Sequence, residues 1–227
     1  MPHPKKVSTK SNEIKYVEPL LKELSIEGKV ITADALLTQK DICKYIVDEK
    51  KANYLFTVKD NQLTLKKDIE DLNLESEKYD HITVNKGHGR VETRKIWRST
   101  IINSYVEFPH VNQVFCIQRE RYDQKKETTR NDTVYGITSQ TTEQASPEKL
   151  LSQNRGHWSI ENKVHYVLDV SFDEDRSQIR YLNGPMVMTC LRKLAITILR
   201  KNNFCNIAEA FRKLWAKPHL ALNMVFS

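Results

Sequence analysis

The feature that most limits what this chain can fold into lies in residues 29–62. Two short apolar runs, Lys29-Val-Ile-Thr-Ala-Asp34 and Tyr54-Leu-Phe-Thr-Val58, flank a segment from Thr38 to Lys50 that carries Ile42, Tyr45 and Ile46 at helical spacing. Strands this apolar need cover on both faces, and a helix between them supplies it, so the alternation predicts an α/β core with parallel strands. Ligand sites in such sheets gather beyond the carboxyl ends of the strands. Asp34 and the stretch Lys59-Asp-Asn-Gln62 occupy those ends. Ahead of them, apolar residues at 14, 17, 20, 21 and 24 form a helical stripe, and Gly28 is its stop.

Asn61 to Leu74 reads as a further helix, after which the pattern changes. Ile82 to Val84, Val91 to Ser99, Gln113 to Arg121 and Thr133 to Thr138 are β-type runs, punctuated by Gly87, Gly89 and polar stretches. They predict a mainly antiparallel region. Ser146-Pro147 then signals a helix start, with Ser as N-cap and Pro in the first turn. The helix is expected to continue through Trp158 to Leu168. Asn183-Gly-Pro185 breaks the chain before another helix, and Asn206-Ile-Ala-Glu209 resembles a capping box. The domain organisation expected is 1–75 as part of an α/β core, 76–145 as a β-rich insertion and 146–227 as a helical remainder with a basic tail.

Charge narrows the function classes. The net charge is +7, a balance that favours polyanions through counterion release, and nucleic acid is the commonest of these. From Arg176 to Lys217 nine Lys and Arg face a single acid, Glu209. That block reads either as solvated helix faces or as a phosphate-tracking surface. No run is long and apolar enough to cross a bilayer, and Met1 to Lys6 is followed by no apolar stretch of a secretory signal. The four cysteines form no CxxC pair and read as reduced thiols of a cytoplasmic protein.

Two carboxylates stand out. Asp34 ends an apolar strand between two alanines, which leaves room for a ligand. The alternative is a helix N-cap. Glu161 lies four residues after His157 and four before His165, so a continuous α-helix would put all three on one half-buried face. A zinc or iron site from that trio is one alternative, although neighbouring turns of one helix rarely satisfy such a metal and no HExxH is present. A polar helix face is the other. Asp34 and Glu161 together suit Mg²⁺, a hard ion that takes one or two carboxylates and completes its shell with water and phosphate. His88-Gly-Arg-Val-Glu-Thr-Arg94 places His88, Arg90 and Arg94 beside glycines that allow close backbone approach. It reads as a phosphate contact or as a charged hairpin. Lys59 and Asn61 read as a turn, or as contacts to DNA.

In this order the segments resemble the ISAs-type family of insertion-sequence DDE transposases. The matching runs are Lys10-Ser-Asn-Glu-Ile14, Thr32-Ala-Asp-Ala35, Tyr54 to Gln62 and His88 to Arg94. The most specific are Arg155-Gly-His-Trp-Ser-Ile-Glu-Asn162, Leu168-Asp-Val-Ser-Phe-Asp-Glu-Asp-Arg176 and Asn183-Gly-Pro185. The resemblance implies a ribonuclease-H-like α/β core, amino-terminally truncated here, with a mainly antiparallel β insertion and a helical carboxy-terminal region. It implies Mg²⁺ or Mn²⁺ held by three acids, double-stranded DNA at transposon ends as partner, a homo-oligomer, and a nucleoid-associated location. Asp34 maps to the second acid and Glu161 to the third. Relatives carry a tyrosine and an arginine ahead of the third acid and a lysine beyond it. Here Asn154, Arg155 and His157 precede it and Leu168 follows, so the resemblance assigns the phosphate grip to Arg155 and His157, with Arg176 and Arg180 as further DNA contacts. The first acid sits upstream in an Asp-Gly-Lys stretch, and residues 1–33 contain no aspartate. The expectation is therefore a transposase fragment that does not cut DNA alone. A non-catalytic DNA-binding remnant is the alternative, and a separate nuclease would need another acid such as Asp169 or Asp175.

Overall fold

The computed structural model describes residues 13–87, 89–101 and 106–226, which fall into two compact units that meet in sequence at His157 and Trp158. His88, singled out above, lies outside the described residues.

The first unit is built on one six-stranded sheet in the order β1-β2-β6-β5-β4-β3. The strands are β1 (Val30–Ala33), β2 (Asn53–Val58), β3 (His81–Gly87), β4 (Arg90–Ser99), β5 (Gln113–Asp123) and β6 (Thr128–Thr138). β1 and β2 pair in parallel, with Ala33 opposite Phe56. The parallel arrangement predicted from the alternation stops there. β6 joins β2 antiparallel, with Val58 opposite Tyr135, and every later pairing is antiparallel. For two of these pairs the reason is connectivity: β3 to β4 and β5 to β6 are joined by tight hairpins, which can only produce antiparallel neighbours. The result is a mixed α/β sheet.

Both faces of β2 are covered, which explains its uninterrupted apolar run. On one face Tyr54, Phe56 and Val58 pack with Leu21, Cys43, Ile46, Leu65, Ile69 and Ile137. These come partly from the helices α1 (Ile14–Lys22), α2 (Lys40–Lys44) and α3 (Leu63–Glu70). Leu55 points to the other face and joins Ile96, Phe115 and Ile117 beneath Leu150 and Leu151 of α4 (Pro147–His157). Ser146 caps α4 as expected, its hydroxyl accepting from the Lys149 N–H at 3.3 Å. Gly136 is paired with Phe115 across β5 and β6, and any Cβ at that position would collide with the buried Phe115 ring.

The second unit is helical, with α5 (Tyr166–Val170), α6 (Gly184–Lys201), α7 (Ile207–Ala216) and α8 (Pro218–Phe226). Val167, Leu168, Ile196, Leu199, Ile207 and Ala210 form its core. The Phe172 and Phe211 rings meet edge to face at 4.8 Å. Asn206 caps α7 by accepting from the Glu209 N–H, as the capping signal predicts. Among the described residues no helix is long and apolar enough to cross a membrane.

One expected element is not continuous. The helix predicted through residue 168 is interrupted: α4 ends at His157, Trp158 is a turn, and residues 161–165 form a π-helical turn before α5. A π turn inserts one residue per turn, which a 3.6-residue pattern does not reveal. The Trp158 turn therefore separates His157 from the helical segment that carries Glu161 and His165.

Candidate active site and nucleic-acid interface

Asp34 follows the last residue of β1 and opens a single 3₁₀ turn, Ala35–Leu37. Its backbone is extended, and its carboxylate makes no capping hydrogen bond. The side chain is exposed between buried Ala33 and Ala35. The N-cap alternative thus finds no support, and a hard oxygen ligand is left open at the strand end. It fits the donor type Mg²⁺ or Mn²⁺ takes.

The loop that carries Asp34 is fixed from beneath. Asn61 donates its side-chain amide to the Ala35 carbonyl. Gln62 donates to the Thr38 carbonyl at 2.9 Å. The fully buried Thr38 donates its hydroxyl to the Thr57 carbonyl at 2.7 Å. Three side-chain hydrogen bonds therefore lace the two strand-end loops together. This gives Asn61, read above as a DNA contact, a defined local task next to Asp34. Thr38 and Gln62 were not singled out from sequence. A threonine or glutamine in a polar loop carries no pattern that marks its partner. Lys59 sits at the head of the 60–62 turn with its side chain exposed.

Glu161 belongs to the second unit, where it begins the π turn and is exposed, as is His165. The half-buried face expected there is corrected: at this turn Val164 is partly buried, and full burial resumes only at Val167 and Leu168. His157 closes α4 in the first unit. Among the described residues no three His, Cys, Asp or Glu side chains gather as a metal cluster in either unit.

The basic residues divide by burial. Arg94 is 9% exposed and its guanidinium is held by Glu92 at 2.8 Å. Glu92 also accepts from Arg119. Burial, opposed by Glu92, pulls the Arg94 pKa below its usual value, and Arg119 and Arg155 add to the shift. Arg155 is exposed at the end of α4 and reaches Asn85 of β3 at 3.4 Å. Arg90 is exposed and lies 3.6 Å from Asp123. In the second unit Arg176 is exposed beside Asp173 at 3.6 Å. Arg180 donates to the carbonyls of Ser177 and Ile179. Glu174, in the middle of the specific motif, is a structural anchor: it accepts from Thr189 at 2.6 Å and from Arg192 at 2.9 Å, tying the 174–176 turn to α6.

Residues 4–198 match the family described as Transposase DDE domain, and the chain belongs to that family, among its insertion-sequence members. It is 34% identical over 206 residues to the putative transposase YncI of Escherichia coli O157:H7, covering 86% of this chain and 52% of that protein. It is 33% identical over the same length to the H repeat-associated putative transposase YhhI of Escherichia coli K12, covering 86% and 53%. The putative protein YbfL of the same strain is 34% identical, also over 86% and 53%. The chain therefore spans about half the length of the curated relatives it matches. A structure of a piggyBac transposase synaptic complex with hairpin DNA aligns over 70% of this chain and 28% of that chain, at 14% identity and a TM-score of 0.35, a likeness too slight to carry an argument.

Proposed function

We propose that this chain serves DNA transposition of an insertion sequence. In this reading Asp34 and Glu161 are the second and third acids of a ribonuclease-H-like site for Mg²⁺ or Mn²⁺. Residues 1–75 and 146–227 contribute to that core, and 76–145 form its insertion. The observation that carries the reading is the Asp34 carboxylate, exposed at the end of β1, unused as a cap and set on a loop laced to β2. The free edge of β1 among the described residues suits the additional strands of such a core. Bound metal would activate the attacking hydroxyl and stabilise the leaving oxygen. The chain's own contribution is to fix the two carboxylates, and to hold DNA through Lys59, His88, Arg90, Arg155, His157, Arg176 and Arg180, while Asn61 braces the Asp34 loop and Arg94 is taken up by Glu92. The partner is the double-stranded transposon end, bound by a homo-oligomer.

Residues 1–33 hold no aspartate, so the first acid is not among them. With two acids the chain alone is expected to bind metal weakly and to leave DNA uncut. Mn²⁺ titration followed by water proton relaxation tests the assignment. Asp34→Asn and Glu161→Gln should each weaken binding at least fivefold, and wild-type affinity in both would overturn it. Robust Mg²⁺-dependent cutting of terminal repeats by this chain, abolished by Glu161→Gln, would overturn the expected inactivity instead.

A non-catalytic DNA-binding remnant is the second reading, favoured by the net charge of +7. Salt-dependent DNA retention with no Mn²⁺ binding would select it.

A further inference from the structure

The two long hairpins of the sheet run well past its parallel corner. β2 ends at Val58 opposite Tyr135, yet β6 continues back to Thr128 paired only with β5. At about 3.3 Å per residue this arm extends roughly 20 Å beyond the sheet end where Asp34 sits. The tips of the two hairpins are joined, because the Gln124 N–H donates to the Gly89 carbonyl at 2.9 Å. Gly89 has a φ of +71°, a conformation open to glycine at no steric cost. The second turn is folded by Asp123, whose carboxylate accepts from the N–H groups of Lys125 at 3.0 Å and Lys126 at 3.2 Å.

Between the tips lies a pocket of about 140 Å³ lined by Arg90, Arg121, Asp123, Lys126, Thr128 and Arg130. Four cations face one carboxylate there. Asp132, which pairs with Arg121, reduces the excess by one more and leaves it positive. The Nε of Arg121 has no hydrogen-bond partner. Clustered guanidinium groups repel one another unless an anion lies among them, and guanidinium forks match phosphate oxygens in geometry.

The geometry points to a second DNA-contact site at these tips, a phosphate clamp made by Arg90, Arg121, Lys126 and Arg130. It engages the duplex backbone away from Asp34. This rests on the DNA-handling reading above and deepens it. The arm places the clamp roughly six base pairs from the Asp34 end, at 3.4 Å per base pair. Contacts of this kind fix register and orientation and carry no base specificity.

The test is fluorescence anisotropy with the full chain and a 30-base-pair duplex, in EDTA, across a salt series. Lys126 and Arg130 are exposed, so the K126Q/R130Q double variant should fold normally. Its log K against log salt slope should flatten by about two, and its affinity at moderate salt should fall about tenfold. K126R/R130K keeps both charges and should retain the slope. K44Q/K67Q removes the same charge from exposed positions on α2 and α3 and should stay within twofold of wild type. Equal losses in the hairpin and helix variants would overturn the clamp, as would an unchanged salt slope in K126Q/R130Q. Because metal is absent, the result is independent of the Mn²⁺ titration. Failure of the acids would leave the clamp standing, and failure of the clamp would leave the acids standing.

Discussion

The two units carry one proposed acid each, and they hold it in different ways. Asp34 stands on a loop whose backbone is tied by side chains from a neighbouring strand end, so its position follows from long-range pairing of β1 with β2. Glu161 stands on a π turn, an irregularity within local helical structure. The thiols differ in the same sense. Cys43 and Cys116 of the sheet unit are fully buried, and burial pushes both thiols far above their ordinary value. Cys190 is partly buried and Cys205 exposed in the helical unit. The Asp34 loop is thus fixed by tertiary pairing, whereas the backbone at Glu161 follows a helical irregularity. Single π turns of this sort recur at functional positions.

Damage to the sheet should therefore act on one half alone. Gly136→Ala forces a methyl group into the Phe115 ring and should destabilise the first unit by about 3 kcal/mol, the upper end of ordinary overpacking costs. Urea unfolding followed by alkylation of Cys43 and Cys116 would show it. An unchanged midpoint would break the contrast. The matching lesion in the helical unit is Arg192→Ala, which leaves the largely buried Glu174 without its cation. A loss of about 2 kcal/mol is expected, visible as earlier alkylation of Cys190 with Cys43 and Cys116 still protected. Simultaneous exposure of all thiols would show instead that the two units unfold as one. The smallest effect tests the bracing. Thr38→Val removes one buried hydrogen bond and should cost about 1 kcal/mol. It should also weaken Mn²⁺ binding about twofold while DNA affinity in EDTA stays unchanged. A Mn²⁺ affinity equal to wild type would mean that the Asp34 loop does not need its lacing.

Much of the local structure was legible. The strand runs at 29–34 and 54–58 fall within one or two residues of β1 and β2, and all four later β runs are strands. Ser146 and Asn206 cap the helices they were read to cap. Family membership was legible for the same reason, since the Arg155–Asn162 and Leu168–Arg176 runs are long and specific. The continuous helix through Glu161 was not, because periodicity does not register one extra residue in a turn.

What the sequence by itself determined is which segments are strands and helices, where they start, and that an aspartate ends the first strand. These follow from side-chain periodicity and capping chemistry, which act between near neighbours. Only the tertiary structure decided that β6 lies against β2. It also decided that Arg94 is buried on Glu92 while Arg90 and Arg130 meet at the hairpin tips, and that Thr38, Asn61 and Gln62 serve the loop of Asp34. Those outcomes depend on pairing between residues distant along the chain, where a charge or an amide has the same letter whatever partner folding brings to it.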